Sequence, residues 1–171
     1  MAPRVGELRP LRPGSQAPGD RRRPPPSGGT VVRTRVNGRE ARYVATGGRR
    51  VVVIDDDPSI REVAALALTA VGGHEVHTAG DGTEGLEVAR RVRPDAILLD
   101  VMMPVHDGPA VLGRLRALPE LRDVPVVFLT AKVGTKDISR LDGVGAVAVI
   151  TKPFDPLGLA GELAAVLGWD A

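Results

Sequence analysis

The sequence predicts an α/β fold, in which five parallel strands form a doubly wound sheet with helices on both faces. From residue 49 onward, short runs of aliphatic residues alternate five times with segments of helical periodicity. The first of these runs, residues 51–54, is continuously apolar and β-branched. Such a run is typical of a parallel strand that is buried on both faces of its sheet. About 120 residues are enough for one substantial core, so we predict one domain over residues 49–171.

Capping and breaker residues place the elements in order. Asp57-Pro58 and Asp155-Pro156 each combine a capping side chain with a proline suited to the first helical position. The predicted strands comprise residues 51–54, 74–78, 95–99, 124–129 and 146–150, and the predicted helices begin at Pro58, at Gly82 or Thr83, after residue 108, near residue 135 and at Pro156. With right-handed crossovers, this order predicts the flavodoxin-like arrangement (βα)5 with strand order 2-1-3-4-5.

The apolar positions of each helix predict the face that contacts the sheet. The helix over residues 135–141 is weak, with only two apolar residues on one face. The predicted inward residues are Ile60, Val63, Ala67 and Val71 in the first helix, Leu86 and Ala89 in the second, Val111, Leu112, Leu115 and Leu118 in the third, Ile138 and Leu141 in the weak helix, and Leu159, Leu163 and Val166 in the last.

Charge is distributed unequally along the chain. Residues 1–50 carry a net charge of +9, whereas residues 51–171 carry −7. The acidic domain is therefore not expected to bind nucleic acid by itself. Residues 1–48 form a basic arm rich in Pro, Arg and Gly, which we predict to be disordered, with a weak hairpin over residues 31–46 around Asn37-Gly38. The arm could contact phosphates or an acidic partner, but an inert tail is the favoured interpretation.

Composition excludes several classes of site. The chain has no cysteine, so disulfides, thiolate metal sites and thiol catalysis are excluded. No apolar stretch approaches the ~20 residues of a membrane helix, and the N-terminus lacks the apolar region of a secretory signal. We therefore expect a cytoplasmic protein without a membrane contact.

Polar residues follow four of the predicted strands. Asp55 and Asp56 follow the first, Asp100 the third, Thr130 the fourth and Lys152 the fifth. In this topology all of these positions open onto the carboxyl edge of the sheet, where such folds bind ligands. Neighbouring carboxylates repel one another, and Mg²⁺ would remove that conflict through oxygen ligands. Taken singly, each residue is more commonly an ordinary turn or surface residue.

Four short motifs occur in order at these strand ends. The aspartates, the threonine and the lysine at positions 55, 100, 130 and 152 are successively 45, 30 and 22 residues apart. The motifs are Val-Ile-Asp-Asp-Asp-Pro at 53–58, Leu-Asp-Val-Met-Met-Pro at 99–104 with Asp107-Gly108, Leu-Thr-Ala at 129–131, and Lys-Pro-Phe at 152–154. With these motifs and intervals, residues 49–168 resemble the CheY-like response-regulator receiver domains of two-component signalling.

The resemblance implies a phosphorylation site that requires Mg²⁺. Asp100 would be the phospho-acceptor, forming 4-aspartylphosphate with a phosphoryl group from a sensor histidine kinase or a histidine phosphotransfer protein. Asp56 and Asp100 would coordinate Mg²⁺ directly, Asp55 would do so through water, and the backbone carbonyl of Met102 would supply a further oxygen. These roles agree with the preference of Mg²⁺ for carboxylates, phosphate and water.

The resemblance also implies the response to phosphorylation. Lys152 would pair with Asp100 at rest and with a phosphoryl oxygen afterwards, and the Thr130 hydroxyl would bind another phosphoryl oxygen. The Lys152–Pro153 bond would be cis. Family members often carry an aromatic residue three positions before the lysine, where this chain has Val149. We therefore expect the switch to act through Thr130, the loop that follows it and the helix over residues 135–141, because Val149 is too short for an aromatic swing.

The favoured function is a stand-alone receiver, a phosphorylation-dependent switch in a phosphorelay that binds a downstream protein and is not an enzyme in its own right. One alternative is a HAD-like aspartyl-phosphate phosphohydrolase, but such enzymes generally have an acid two residues after the nucleophile, where this chain has Met102. A second alternative is a nucleic-acid-binding regulator that uses the basic arm. A P-loop nucleotide binder is excluded, because the first strand lacks the following Gly-rich Lys-Ser/Thr loop.

Overall fold

The computed structural model describes residues 30–36, 39–45, 48–131 and 145–169. Two strands precede the domain, β1 (Thr30–Val36) and β2 (Arg39–Ala45). They pair antiparallel, with Val36 opposite Arg39. They overlap the segment where the sequence predicts a weak hairpin, residues 31–46, and begin one residue before it. The division of the chain into an arm and a domain at residue 48 stays a prediction.

A five-stranded parallel sheet forms the centre of the domain. Its strands pair in the order β4-β3-β5-β6-β7, which is 2-1-3-4-5 when only the strands of this sheet are counted in chain order. The predicted fold class and strand order are therefore confirmed. The strands are β3 (Arg50–Ile54), β4 (Glu75–Ala79), β5 (Ala96–Asp100), β6 (Val126–Thr130) and β7 (Ala148–Thr151).

Four helices are described, and they lie on both faces of the sheet. They are α1 (Pro58–Ala70), α2 (Gly82–Val92), α3 (Gly108–Ala117) and α4 (Leu159–Leu167). The weak helix predicted over residues 135–141 lies outside the described residues. Within the described part of the chain, every helix is too short or too polar to cross a membrane.

The two faces of the sheet bury separate apolar clusters, because successive side chains of a strand point to opposite faces. Val52 and Ile54 of β3 pack with α2 and α3, whereas Val51 and Val53 pack with α1 and α4. All residues of β5 and β6 are buried. The central strands are thus rigidly held, and their carboxyl ends provide a fixed frame for polar side chains.

Aspartate caps start three helices directly beside the carboxyl edge of the sheet. The Asp57 side chain accepts hydrogen bonds from the backbone at Ser59 and Ile60, and Asp81 and Asp107 cap α2 and α3 in the same way. Each cap satisfies backbone N–H groups that the first turn of a helix leaves unpaired. The caps therefore fix the residues at which these three helices begin.

The predicted inward face of α1 is wrong in part. Val63 and Val71 are 40% and 51% exposed, whereas Ala64 and Leu68 are fully buried. This helix has apolar residues on more than one face, and the predicted inward face was the one that carries the bulkier aliphatic side chains. The structure instead places the alanine-rich face against the sheet, since small side chains allow close helix–sheet packing.

The predicted start of the last helix at Pro156 is also wrong, because α4 begins at Leu159. The Asp155 side chain accepts from Leu157 N at 3.1 Å, and the Asp155 carbonyl accepts from Gly158 N at 3.1 Å. These bonds close a separate turn ahead of the helix. The starts of β4 to β7 lie one or two residues after the predicted positions.

Candidate functional site

The four strand ends at which the sequence predicts site residues lie at one edge of the sheet. Asp55 and Asp56 directly follow β3, Asp100 ends β5, Thr130 ends β6 and Lys152 follows β7. These strands are hydrogen-bonded neighbours in the order β3-β5-β6-β7. The parallel sheet therefore brings together residues that are up to 97 positions apart in the chain.

The three aspartates form a group of oxygen ligands. One carboxylate oxygen from each of Asp55, Asp56 and Asp100 lies within 4.8 Å of the other two. Asp55 and Asp100 are buried, whereas Asp56 is exposed. An all-oxygen group with one solvent-facing member suits a hard divalent cation such as Mg²⁺, which retains water ligands. The donor set thus fits the ion that the sequence predicts.

Lys152 lies between the two buried carboxylates. Its Nζ donates a hydrogen bond to Asp55 Oδ2 and lies 3.3 Å from Asp100 Oδ1. The sequence resemblance implies a resting pair with Asp100, but the shorter contact is with Asp55. The Lys152–Pro153 bond is cis, as predicted. The lysine charge offsets the repulsion between the two carboxylates.

The electrostatics of the pocket follow from burial and from this arrangement. Burial, followed by the negative charge of Asp55, raises the pKa of Asp100 to about 6, although the Met102 N–H and Lys152 act in the opposite direction. Burial disfavours the charge of Lys152, but the hydrogen bond and charge of Asp55, together with Asp100, outweigh it and raise its pKa above the usual value. The ammonium form of Lys152 is thereby maintained in the pocket.

Backbone N–H groups hold the two buried carboxylates in place. Asp57 N donates to Asp55 Oδ1 at 3.0 Å, and Met102 N donates to Asp100 Oδ1 at 3.2 Å. The main chain of Met102 is thus next to Asp100, while its side chain is 74% exposed. The role expected for the Met102 carbonyl in binding Mg²⁺ stays a prediction.

Gly108 allows the loop after β5 to return closely to the site. A Cβ at Gly108 would lie 2.7 Å from the Asp100 carbonyl oxygen and 2.9 Å from the Phe128 ring. The Gly108 N–H donates to the Val101 carbonyl at 3.0 Å. Any side chain here would displace the backbone that carries Asp100, which explains the glycine in the Asp107-Gly108 motif.

The two residues of the predicted switch lie on adjacent strands. Thr130 is buried at the end of β6, where its carbonyl accepts from Lys152 N at 2.7 Å. Val149 on β7 pairs with Phe128 and packs, half-buried, against the cluster on the α2–α3 face. Their roles in activation stay predictions, because the segment between β6 and β7 lies mostly outside the described residues.

Arg61 belongs to this site but was not identified from the sequence. Its Nη1 donates to the carbonyl oxygens of Asp55 at 2.6 Å and Asp56 at 3.1 Å. An arginine in the first turn of a helix is ordinarily solvent-facing, so its residue type alone gives no signal. Its place one turn after the capping Asp57 is the only feature of the sequence that points toward the acidic turn.

Comparison with protein families and curated proteins identifies relatives of the domain. The family model described as response regulator receiver domain matches residues 51–164. The DNA-binding response regulator MtrA of Mycolicibacterium smegmatis is 39% identical over 119 residues, which are 70% of this chain and 50% of MtrA. The DNA-binding dual master transcriptional regulator RpaA of Synechocystis is 37% identical over 118 residues, which are 69% of this chain and 48% of RpaA. The chain spans about half the length of these curated relatives.

Solved structures show the same domain. The chemotaxis protein CheY4 of Vibrio cholerae matches with a TM-score of 0.66 and 34% identity, covering 70% of this chain and 98% of CheY4. The receiver domain of the sensor histidine kinase PA1611 of Pseudomonas aeruginosa matches with a TM-score of 0.63 and 30% identity, covering 71% and 98% of the two chains. That structure has a magnesium ion coordinated in its active site cleft.

Proposed function

Because the chain belongs to the response regulator receiver domain family, we propose that it accepts a phosphoryl group on Asp100 and signals through the resulting conformational change. The observation that carries the proposal is the convergence of Asp55, Asp56, Asp100 and Lys152 in one pocket. The family is a signalling domain of two-component systems, and its phosphoryl donors are sensor histidine kinases. A histidine phosphotransfer protein would present the same phosphohistidine.

In the proposed reaction an Asp100 carboxylate oxygen attacks the phosphorus of a phosphohistidine. The new O–P bond forms 4-aspartylphosphate while the P–N bond breaks, and the electron pair of that bond leaves with the imidazole. Phosphoryl transfer depends on positioning and charge neutralisation more than on covalent help from the protein. Lys152 favours the ionised, nucleophilic form of Asp100 through its charge.

Mg²⁺ would be held by Asp56 and Asp100 directly, by Asp55 through water and by the Met102 carbonyl. When bound, the ion supplies positive charge for the phosphoryl oxygens. Lys152 is close enough to Asp100 to pair with one of these oxygens after transfer. Thr130, at the end of the neighbouring strand, would bind another through its hydroxyl and so couple phosphorylation to the segment that follows β6.

The proposal is tested by incubating the full chain with a small-molecule phosphodonor and weighing the intact protein. We expect the addition of one phosphoryl group that is stable in acid and labile in base, and that requires Mg²⁺. Asp100→Asn is the matched variant, since it keeps the shape of the side chain but removes the nucleophilic carboxylate. Addition to Asp100→Asn at the wild-type level, or equal addition after chelation of Mg²⁺, would contradict the proposal.

The proposed output is binding of a downstream protein, as expected of a receiver that acts by itself. A pull-down with the phosphorylated and unphosphorylated full chain tests the proposal. A partner retained equally by both forms would count against a phosphorylation-dependent output.

DNA binding is the second candidate function, because two relatives are named as DNA-binding regulators and residues 1–50 are strongly basic. It predicts DNA binding that weakens as salt rises and disappears when residues 1–48 are removed. Salt-insensitive binding, or binding retained without the arm, would exclude this role of the arm. A HAD-like phosphohydrolase is not favoured, because the apolar Met102 is at the position that a second acid occupies in those enzymes.

A further inference from the structure

Arg61 makes an unusual contact for a helix-surface arginine. It lies in the first turn of α1, half-buried, with its guanidinium turned back toward the end of β3. One nitrogen, Nη1, donates to the Asp55 carbonyl at 2.6 Å and to the Asp56 carbonyl at 3.1 Å. Hydrogen bonds from a charged donor to a carbonyl are stronger than neutral ones.

The two carbonyls belong to the two peptide planes that flank the Asp56 Cα. Each peptide unit is planar, so holding both planes fixes the φ and ψ angles of Asp56. These angles set the direction of the Asp56 Cα–Cβ bond and restrict the rotamers that its side chain can adopt. This matters because the Asp56 carboxylate is exposed, whereas that of Asp55 is buried and held by Lys152 and Asp57 N.

Arg61 is itself confined by the turn between β4 and α2. A Cβ at Gly80 would lie 3.3 Å from Arg61 Nη1 and 3.6 Å from Glu84 Oε2. Gly80 N donates to that same Glu84 oxygen at 2.7 Å. The β4–α2 turn therefore lies beside the guanidinium and limits its movement on that side.

We propose that Arg61 is a positioning residue for Mg²⁺, which holds the Asp55–Asp56 backbone so that the Asp56 carboxylate faces Asp100. This inference rests on the proposed function, because it concerns the same metal site. A positioning role and a purely electrostatic role of Arg61 predict opposite effects on Mg²⁺ affinity when the guanidinium is removed. Loss of a nearby positive charge alone would strengthen cation binding, whereas loss of positioning weakens it.

The experiment measures Mg²⁺ binding to the unphosphorylated full chain by isothermal titration calorimetry. For Arg61→Met we expect binding that is weaker by about tenfold or more, as is usual when a residue supporting metal ligands is removed. Arg61→Lys, which keeps the charge but not the planar guanidinium, is expected to fall between wild type and Arg61→Met. Arg90→Met is the matched control, since Arg90 is 61% exposed, pairs with Glu120 and lies outside the site.

Phosphorylation gives a second readout. The Mg²⁺ concentration for half-maximal rate with a small phosphodonor should rise in Arg61→Met, while the rate at saturating Mg²⁺ changes less. Wild-type or tighter Mg²⁺ affinity in Arg61→Met overturns the inference. If that variant melts before it can be titrated, Arg61→Lys decides, and wild-type affinity there overturns it equally. Absence of Mg²⁺ binding by the wild type would instead refute the proposed metal site itself.

Discussion

At the scale of single residues, Lys152 provides the positive charge that compensates two buried carboxylates. It contacts Asp55 and Asp100, both of which come from neighbouring strands and are almost completely removed from water. A buried charge that loses its partner keeps its desolvation cost without compensation. The stability of the metal-free protein should therefore depend on this lysine.

We predict that Lys152→Met lowers the free energy of unfolding by about 1–3 kcal/mol at neutral pH without Mg²⁺, since it leaves both acceptors without their cation. Urea denaturation measures this change. Arg90→Met, which removes an exposed ion pair, should change stability by less than about 1 kcal/mol. Equal losses in the two variants would show that Lys152 has no special role in the pocket.

A second residue, His74, lies just before β4 and contacts residues from the beginning and the end of the domain. Its Nδ1 accepts from Arg49 N at 3.2 Å, and its ring contacts the Trp169 ring edge-to-face at 5.4 Å. The Arg49 guanidinium lies 5.6 Å from the centre of the same tryptophan ring. Burial, then the charge of Arg49, lowers the pKa of His74, and Asp95 opposes them in part.

A lowered pKa in the folded state means that the unfolded chain binds the proton first. The contribution of His74 is complete above the unfolded pKa of about 6.5 and is lost as the pH falls below that value. We predict that His74→Gln, which keeps a polar side chain but does not titrate, loses less stability than wild type between pH 7 and pH 5. Urea denaturation followed by fluorescence of Trp169, the single tryptophan of the chain, measures both slopes. Parallel slopes would contradict this prediction.

At the scale of elements, two glycines that look equivalent in the sequence have very different surroundings in the packed structure. Gly85 and Gly161 are both helix-interior glycines. A Cβ at Gly85 would lie 2.5 Å from Ile54 Cδ1 and 2.9 Å from its Cγ1, whereas a Cβ at Gly161 would meet nothing within 4 Å. Ile54 is fully buried and β-branched, so it has little room to move.

We predict opposite effects for the same substitution at these two glycines. Gly161→Ala should stabilise the protein by about 0.5–1 kcal/mol through helix propensity. Gly85→Ala gains the same propensity, but overpacking costs about 1–3 kcal/mol, so a net loss is expected. Thermal or urea denaturation compares the two variants. Stabilisation by Gly85→Ala would show that α2 can shift away from β3 without cost.

Helix faces and helix starts mark the limit of prediction from sequence at this scale. The alternation of apolar runs predicts the elements correctly, because burial on both faces of a parallel sheet leaves a clear pattern. Which face of α1 contacts the sheet is not predictable in the same way. Alanines lie on the face that is buried, whereas the larger apolar valines are exposed, and the sequence does not show which of the two sets faces the sheet. The start of α4 depends on a local side-chain turn at Asp155, which resembles a helix cap in sequence.

At the scale of the whole molecule, topology converts distant residues into a site. Asp55, Asp100 and Lys152 could be predicted because each directly follows a strand, and strand order fixes where the ends lie. Arg61 and the contact between His74 and Trp169 could not be predicted, because they depend on side-chain directions that only the packed structure defines. The contact of Lys152 with both Asp55 and Asp100 could not be predicted for the same reason, because it too depends on side-chain direction.

The most direct test of the central claim locates the phosphoryl group. The full chain is treated with a phosphodonor and Mg²⁺, the acyl phosphate is reduced with borohydride, and peptides are sequenced by mass spectrometry. Reduction converts an aspartyl phosphate to homoserine, so the modified residue is identified directly. The account predicts homoserine at position 100. Homoserine at position 55 or 56, or at no aspartate of a chain that has gained a phosphoryl group, would contradict it.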